Sequence, residues 1–234
     1  MIDVGCGSGE TSFELGALVG DKGSVFGVDS AVALIELARL DAERTNSRNV
    51  RFEVVDAQTH PFHPTFDVCF ARFGTMSFRS PVAAMRNLKS AVRRGGRLVA
   101  LVWRTLADND WVRLPKEVAL RHFPTPPDDD RNSGPGPFSM ADRDTVRQIL
   151  EKAGWSNVAF ERVDAPVLVG ATTSEAVEFQ LELGPAGEIV REAGAAAEEK
   201  KAIITEELTK LLEKYAKPGG IVMNSSSWCI TARN

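Results

Sequence analysis

The chain has 234 residues, of which 43% are hydrophobic and 26% charged, and its 28 Lys and Arg against 32 Asp and Glu leave a formal net charge of −4. That length and composition suit one globular α/β core with a modest insertion, and the acidic balance argues against a nonspecific grip on nucleic acid, which needs clustered Lys and Arg. No apolar stretch approaches the ~20 residues that cross a bilayer, and the amino end lacks the features of a signal peptide, so no membrane partner is expected and the cytoplasm is the expected compartment.

Met-Ile-Asp-Val-Gly-Cys-Gly-Ser-Gly, residues 1–9, reads as a buried strand running into a glycine loop. Ile2 and Val4 supply the apolar strand, while Gly5, Gly7 and Gly9 remove the Cβ atoms that would keep a ligand off the backbone. The loop opens a helix, Glu10 to Val19, whose free N–H groups suit a carboxylate or phosphate. The next strand, Ser24 to Asp29, ends abruptly in a carboxylate that can take both hydroxyls of a ribose. Asp29 follows Gly9 by about the twenty residues that separate a glycine loop from its ribose acid in a Rossmann-type unit; for Asp29 taken alone, the alternative is a helix N-cap. The glycines run GxGxG, whereas the dinucleotide fingerprint is GxGxxG, and Glu10 stands where its third glycine would be. A carboxylate there repels a pyrophosphate but tolerates a sulfonium or an ammonium. The site therefore reads as built for a cofactor carrying positive charge, with an NAD-dependent oxidoreductase as the weaker alternative.

Helix Ser30 to Thr45 comes next. Residues 50–57, Val-Arg-Phe-Glu-Val-Val-Asp-Ala, read as a third strand ending in Asp56 and the small Ala57, and Phe66 to Ala71 as a fourth that leads into the segment Arg72 to Phe78. Helix Pro81 to Val92, the turn Arg93 to Gly96 and strand Arg97 to Trp103 extend a doubly wound, Rossmann-like, mostly parallel sheet, with ligands expected across the carboxyl ends of its strands. Beyond Arg104, Asp110 to Leu120 forms a short helix, and Pro124, Pro126, Pro127, Pro135 and Pro137 exclude regular structure in the run they crowd. Residues 105–141 are expected to be a lid or insertion between the cofactor-binding core, 1–104, and the C-terminal part of the same domain, 142–234. There, helix Asp142 to Ala153 is capped by Gly154, strand Trp155 to Val163 follows, and helices Ser174 to Leu183 and Ala186 to Tyr215 precede a final strand, Val222 to Ala232. That strand is the expected antiparallel edge of a seven-stranded sheet. The Ala-and-charge surface from Ala193 to Lys201 is expected to form, with the proline-rich segment, a lid or an oligomer contact such as that of a homodimer.

Cys6, Cys69 and Cys229 are odd in number and far apart, which suits neither a disulfide framework nor a metal site. Core packing is the favoured reading for Cys6 and Cys69, with contact to the cofactor as the alternative. His60, His63 and His122 are the candidate bases for an acceptor that must lose a proton, although His60 to Pro64 reads first as a rigid surface turn. Arg93, Arg94 and Arg97 read as a solvated rim rather than an RNA patch.

This succession of motifs resembles the class I S-adenosylmethionine (SAM) dependent methyltransferases. Asp3, Gly5, Gly7 and Gly9 match the family's first motif, and Asp29 matches the acid that bonds the ribose hydroxyls. Asp56 and Ala57 match the acid and small residue near the adenine amino group, with Gln58 beside the ring. Residues 93–98 match the family's post-motif, with Arg94 where proline is usual. The chain is more closely similar to bacterial small-molecule methyltransferases that share the Arg72-Phe-Gly-x-Met-x-Phe78 segment and the Trp103–Arg104 pair, and more distantly to the C-methyltransferases of quinone biosynthesis. The resemblance implies SAM as cofactor, a small-molecule methyl acceptor, and a cofactor-binding set of Asp3, Gly5, Cys6, Gly7, Gly9, Asp29, Ser30, Asp56, Ala57 and Arg72. Phe73 and Met76 are the acceptor-side candidates, with Trp103, Trp111 and Phe138 as apolar walls. Family members carry a few dozen residues ahead of the first strand, whereas this chain begins within it. The expectations are accordingly three: a working enzyme with an open site, a shortened chain that binds SAM poorly, or a catalytically silent SAM-fold module acting through protein contacts.

Overall fold

Ile2 and Val4, both almost fully buried, flank Asp3 in β1 (Ile2–Val4) of the computed structural model, which describes residues 1–123 and 135–234. Burying an aliphatic side chain of this size contributes ~1.5–3 kcal/mol, which is why so short a strand can hold the centre of the sheet. Around it run β2 (Val25–Asp29), β3 (Val50–Val54), β4 (Phe66–Arg72) and β5 (Val92–Trp103), all parallel, in the order β3-β2-β1-β4-β5. β6 (Ser156–Gly170) and β8 (Gly220–Arg233) extend the sheet; β8 pairs antiparallel with β5, and β6 is outermost. The expected mostly parallel, doubly wound sheet with its antiparallel part at one edge is what forms, but among the described residues it has eight strands instead of seven, and the final strand β8 lies between β5 and β6 instead of at the edge.

Side chains alternate across the strands. Val25, Val50 and Phe52 pack with Phe13 of α1 (Glu10–Val19) and with Ile35 and Ala38 of α2 (Val32–Arg44). Ile2, Val4, Cys69 and Leu98 pack with Met85 and Leu88 of α3 (Pro81–Ala91) and with Val146 and Leu150 of α5 (Arg143–Lys152). Asp142 caps α5 by accepting the Thr145 N–H at 2.8 Å, and Gly154 ends it at φ 92°, the left-handed conformation expected of that glycine.

Several elements depart from the sequence expectation. Residues 93–96 are looped out within β5 rather than preceding it, since Phe66 pairs with Val92 and Val68 already with Arg97. β6 runs on past Val163 through Pro166, which an outermost strand tolerates because its N–H side needs no partner. The single helix expected over Ala186 to Tyr215 is broken into α7 (Pro185–Glu192) and α8 (Ala195–Leu212), where Gly194 takes φ 56°. Ahead of β8, β7 (Ala216–Lys217) pairs back on it across Pro218-Gly219, the Pro-Gly order of a type II turn.

The described residues fall into two compact units, one drawn from residues 1–103, 135–162 and 227–234, the other from residues 104–123 and 163–226. The second has a core of its own: Val118 and Ala119 of α4 (Asp110–His122), Val177 of α6 (Thr173–Glu182), Ile189 of α7, and Ile204, Leu208 and Leu212 of α8. Pro124, Pro126 and Pro127 of the expected lid lie outside the described residues. Among the described residues, no helix is long and apolar enough to cross a membrane.

Candidate functional site

Strand order reverses direction at β1, which has β2 on one side and β4 on the other, and such switch points open a crevice at the carboxyl ends of the strands. A cavity of about 350 Å³ lies there, within the ~300–1,000 Å³ range of small-ligand sites. Of the residues singled out from the sequence, Gly5, Asp29, Ser30, Asp56, Ala57, Arg72 and Phe73 line it together, as does Gln58. Asp3, Cys6, Gly7, Gly9 and Met76 are not among its lining.

The glycine loop and the acid of β2 are joined directly. Asp29 accepts the Gly7 N–H on Oδ2 at 3.0 Å and the Ala31 N–H on Oδ1 at 2.9 Å. The N-cap of α2 is Ala31, so Asp29 is not the helix cap; it ties the loop to the strand tip and faces the cavity. A Cβ on Gly5 would stand 2.5 Å from the Cα of Gly74, so the loop and the chain leaving β4 touch backbone to backbone. A Cβ on Gly7 would meet nothing within 4 Å, leaving open space over the loop. A cavity of this size, a carboxylate at its edge and glycine backbone free of side chains fit a nucleoside-bearing cofactor.

Beneath the loop, Asp3 is 1% exposed and accepts the Ser12 hydroxyl at 2.6 Å. Burial pushes its carboxyl up to about 6, against the opposing pull of Ser12 and Arg72. Burial likewise pushes the Cys6 and Cys69 thiols up to about 12, so both remain protonated at neutral pH, and both sit in the apolar clusters of the sheet.

The opposite wall comes from β3 and β4. Asp56 Oδ1 accepts the Gln58 N–H at 2.9 Å, and Gln58 Oε1 accepts the Arg79 N–H at 2.9 Å. Asn87 of α3 holds the same loop by donating to the carbonyls of Ala57 at 2.9 Å and His60 at 2.8 Å. Arg72 pairs with Glu10 at 2.7 Å, so the charge at Glu10, which the glycine pattern made conspicuous, has a cationic partner. The ionisable lining of the cavity is then Asp29 and Asp56 against Arg72, an excess of negative charge that favours a cationic group. Phe73 takes φ 64°, rare for a non-glycine residue, and its ring stacks on Trp103 with centroids 4.0 Å apart and planes 14° apart. Met76 is buried, and its sulfur receives the Trp103 N–H at 3.5 Å.

The remaining candidates lie elsewhere. His60 packs its ring on Phe62 at 4.7 Å, His63 is exposed, and neither lines the cavity. His122 belongs to the second unit, 3.2 Å from Glu207. Trp111 is also in the second unit, stacked on Phe179, and Phe138 is half-buried in the first. Asn87, the close approach at Gly74 and the left-handed backbone of Phe73 escaped the sequence reading. Only the adjacent Phe-Gly pair hinted at the last two.

A doubly wound sheet whose glycine loop is bonded to an acid at the neighbouring strand tip, over a cavity of this size, defines a cofactor-binding enzyme domain of the nucleotide type. A methyltransferase domain family matches residues 1–122, and the chain belongs to that family. Aklanonic acid methyltransferase DauC of Streptomyces sp. strain C5 is 32% identical over 99 residues, 42% of this chain and 45% of that protein. A demethylmenaquinone methyltransferase of Corynebacterium kroppenstedtii is 25% identical over 179 residues, 72% of each. The chain thus covers less than half the length of the Streptomyces relative. Among solved structures, YcgJ of Bacillus subtilis has a TM-score of 0.62 at 16% identity, covering 100% of this chain and 90% of that one. Phosphoethanolamine N-methyltransferase 2 of Haemonchus contortus, solved with phosphomonomethylethanolamine and S-adenosylhomocysteine, has a TM-score of 0.58 at 16% identity, covering 100% of this chain and 48% of that one. These two likenesses establish the shared fold.

Proposed function

We propose that the protein transfers the methyl group of SAM to a small-molecule acceptor, with the cofactor held in the cavity at the carboxyl ends of β1 to β4. The observation that carries this reading is the Asp29 carboxylate, which accepts the N–H groups of Gly7 and Ala31 and still lines the cavity. A carboxylate has about four lone-pair positions, so Asp29 retains capacity for two ribose hydroxyls. Family membership and the excess of carboxylate over guanidinium in the lining support a cofactor with a cationic centre.

SAM supplies an already activated methyl sulfonium, so the protein's work is alignment and exclusion of water. In this proposal Gly5 and Gly7 give the cofactor close backbone approach, Gly9 leaves room for the Phe52 and Phe13 rings packed against the loop, Asp29 and Ser30 face its ribose, and Asp56, Ala57 and Gln58 face its adenine. Asp3 and Cys6 support the loop from beneath, and Arg72, paired with Glu10, stands toward the methionine end. Phe73 and Met76 shape the acceptor side. The Streptomyces and Corynebacterium relatives are named for small organic acceptors, aklanonic acid and demethylmenaquinone, which supports an acceptor of that class here. The proposal also carries a cytoplasmic location, checked by cell fractionation, and a homodimer, checked by sedimentation equilibrium.

The direct test is calorimetric titration with S-adenosylhomocysteine, with NAD as the comparison. Micromolar binding of S-adenosylhomocysteine and weaker binding of NAD is the expected result; tighter binding of NAD would overturn the assignment.

A further inference from the structure

The amino-terminal ends of the strands carry a second, shallower concavity of about 570 Å³. It is framed by the carboxyl ends of α3 and α5 and the start of β5, and Arg86, Lys89, Arg94 and Lys152 line it with Ser90 and Asn234. No Asp or Glu side chain lines it, although the chain as a whole carries a net charge of −4. The partners of Arg86 and Lys89 are neutral. Arg86 Nη2 donates to the Lys152 carbonyl at 3.0 Å, and Lys89 Nζ donates to Asn234 Oδ1. None of the four forms an ion pair among the described residues. The neighbouring Arg93, in contrast, is matched by Asp67 at 3.0 Å.

Helix capping accounts for part of this cluster. Each helix carboxyl end carries roughly half a negative charge, so α3 and α5 together answer about one of the four positive charges, and the backbone carboxyl of Asn234, which also lines the concavity, answers about one more. The remainder repel one another across an open depression, a cost that a bound anion removes. We propose that this concavity binds a compact polyanion, a small molecule with two or more phosphate-like groups, at a site separate from the cofactor cavity. β4 runs from one site toward the other, and its seven residues span about 20 Å. The ligand is therefore an effector or anchor rather than the methyl acceptor. The cluster is confined to four cations at two helix ends and the start of β5, a footprint that matches a small ligand.

The test is calorimetric titration of the full chain with inorganic triphosphate at low salt, with and without saturating S-adenosylhomocysteine. It is repeated on the double variant Arg94→Gln, Lys152→Gln, whose two side chains are exposed, and thermal melting checks that the variant is folded. The expected result is one site that is indifferent to S-adenosylhomocysteine and weakened about tenfold or more in the variant, since each lost charge-assisted bond is substantial. Absence of binding, competition by S-adenosylhomocysteine, or unchanged binding in the folded variant would each overturn the proposal. So would binding to phosphatidylserine vesicles without binding to triphosphate, which would reassign the patch to a membrane surface. The outcome does not depend on whether the chain methylates anything.

Discussion

Asp29 bonds the glycine loop through the Gly7 N–H and faces the cavity with the same carboxylate, so its removal loosens the loop and takes away the carboxylate proposed to hold the ribose. Asp29→Ala is expected to weaken S-adenosylhomocysteine binding roughly tenfold to a hundredfold, the range for losing a hydrogen bond to a charged group. Unchanged affinity in calorimetry would take Asp29 out of the site. Asp3 acts on stability instead. Its carboxyl, ordinarily near 3.8, is raised to about 6 by burial. Between those values the native state keeps a proton that the unfolded chain has released, so stability from this group is greatest below about pH 4 and falls as pH rises toward 6. The loss is on the order of 2–3 kcal/mol. Asp3→Asn, which cannot ionise, is expected to melt higher than the parent at neutral pH, with the advantage shrinking in acid. An advantage equal at both pH values would assign the titration to another group.

At the level of elements, the meeting of the glycine loop with the chain leaving β4 is the tightest backbone contact around the cavity. A Cβ on Gly74 would lie 2.2 Å from the Val4 carbonyl oxygen and 2.8 Å from Gly5 Cα, backbone atoms of the central strand and its loop. Gly74→Ala is expected to cost ~1–3 kcal/mol in denaturant unfolding and to weaken S-adenosylhomocysteine binding, because the loop must shift to admit the methyl group. Gly7→Ala meets no atom within 4 Å but keeps φ at 56°, and is expected to cost only ~1 kcal/mol, the backbone penalty alone. Equal losses in the two would mean that close approach is not what Gly74 provides. The elements themselves were largely legible up to Trp103, because apolar runs and glycine or proline boundaries coincide there. α1 spans the expected Glu10 to Val19, and α2 is trimmed only at its ends. The break at Gly194 was not legible, since the Ala, Glu and Lys around it favour helix on both sides and only the positive φ separates α7 from α8. In the site, spacing announced Asp29 beside the glycine loop, whereas Arg72 with Glu10 and Asn87 with the Ala57 carbonyl join residues that only the finished sheet brings together.

For the whole molecule, each compact unit has its own buried core, and every residue lining the cavity at the carboxyl ends of the strands belongs to the first. A ligand that binds only the native form stabilises the unit that holds its site, by about 2.7 kcal/mol at ~100 times the dissociation constant. In the second unit, Leu208 is fully buried among Ile204, Leu212 and Ile189, so Leu208→Ala removes well-packed methyl groups and is expected to cost ~2–5 kcal/mol there. Two separate apolar clusters predict that the perturbations separate. Calorimetric melting should resolve two transitions, one raised by S-adenosylhomocysteine and the other lowered by Leu208→Ala, with affinity for S-adenosylhomocysteine unchanged in the variant. One cooperative transition that moves under both perturbations would instead mean that the cofactor stabilises the helical core as well, and that a substitution as distant in sequence as position 208 can tune methyl transfer through the stability of the whole chain.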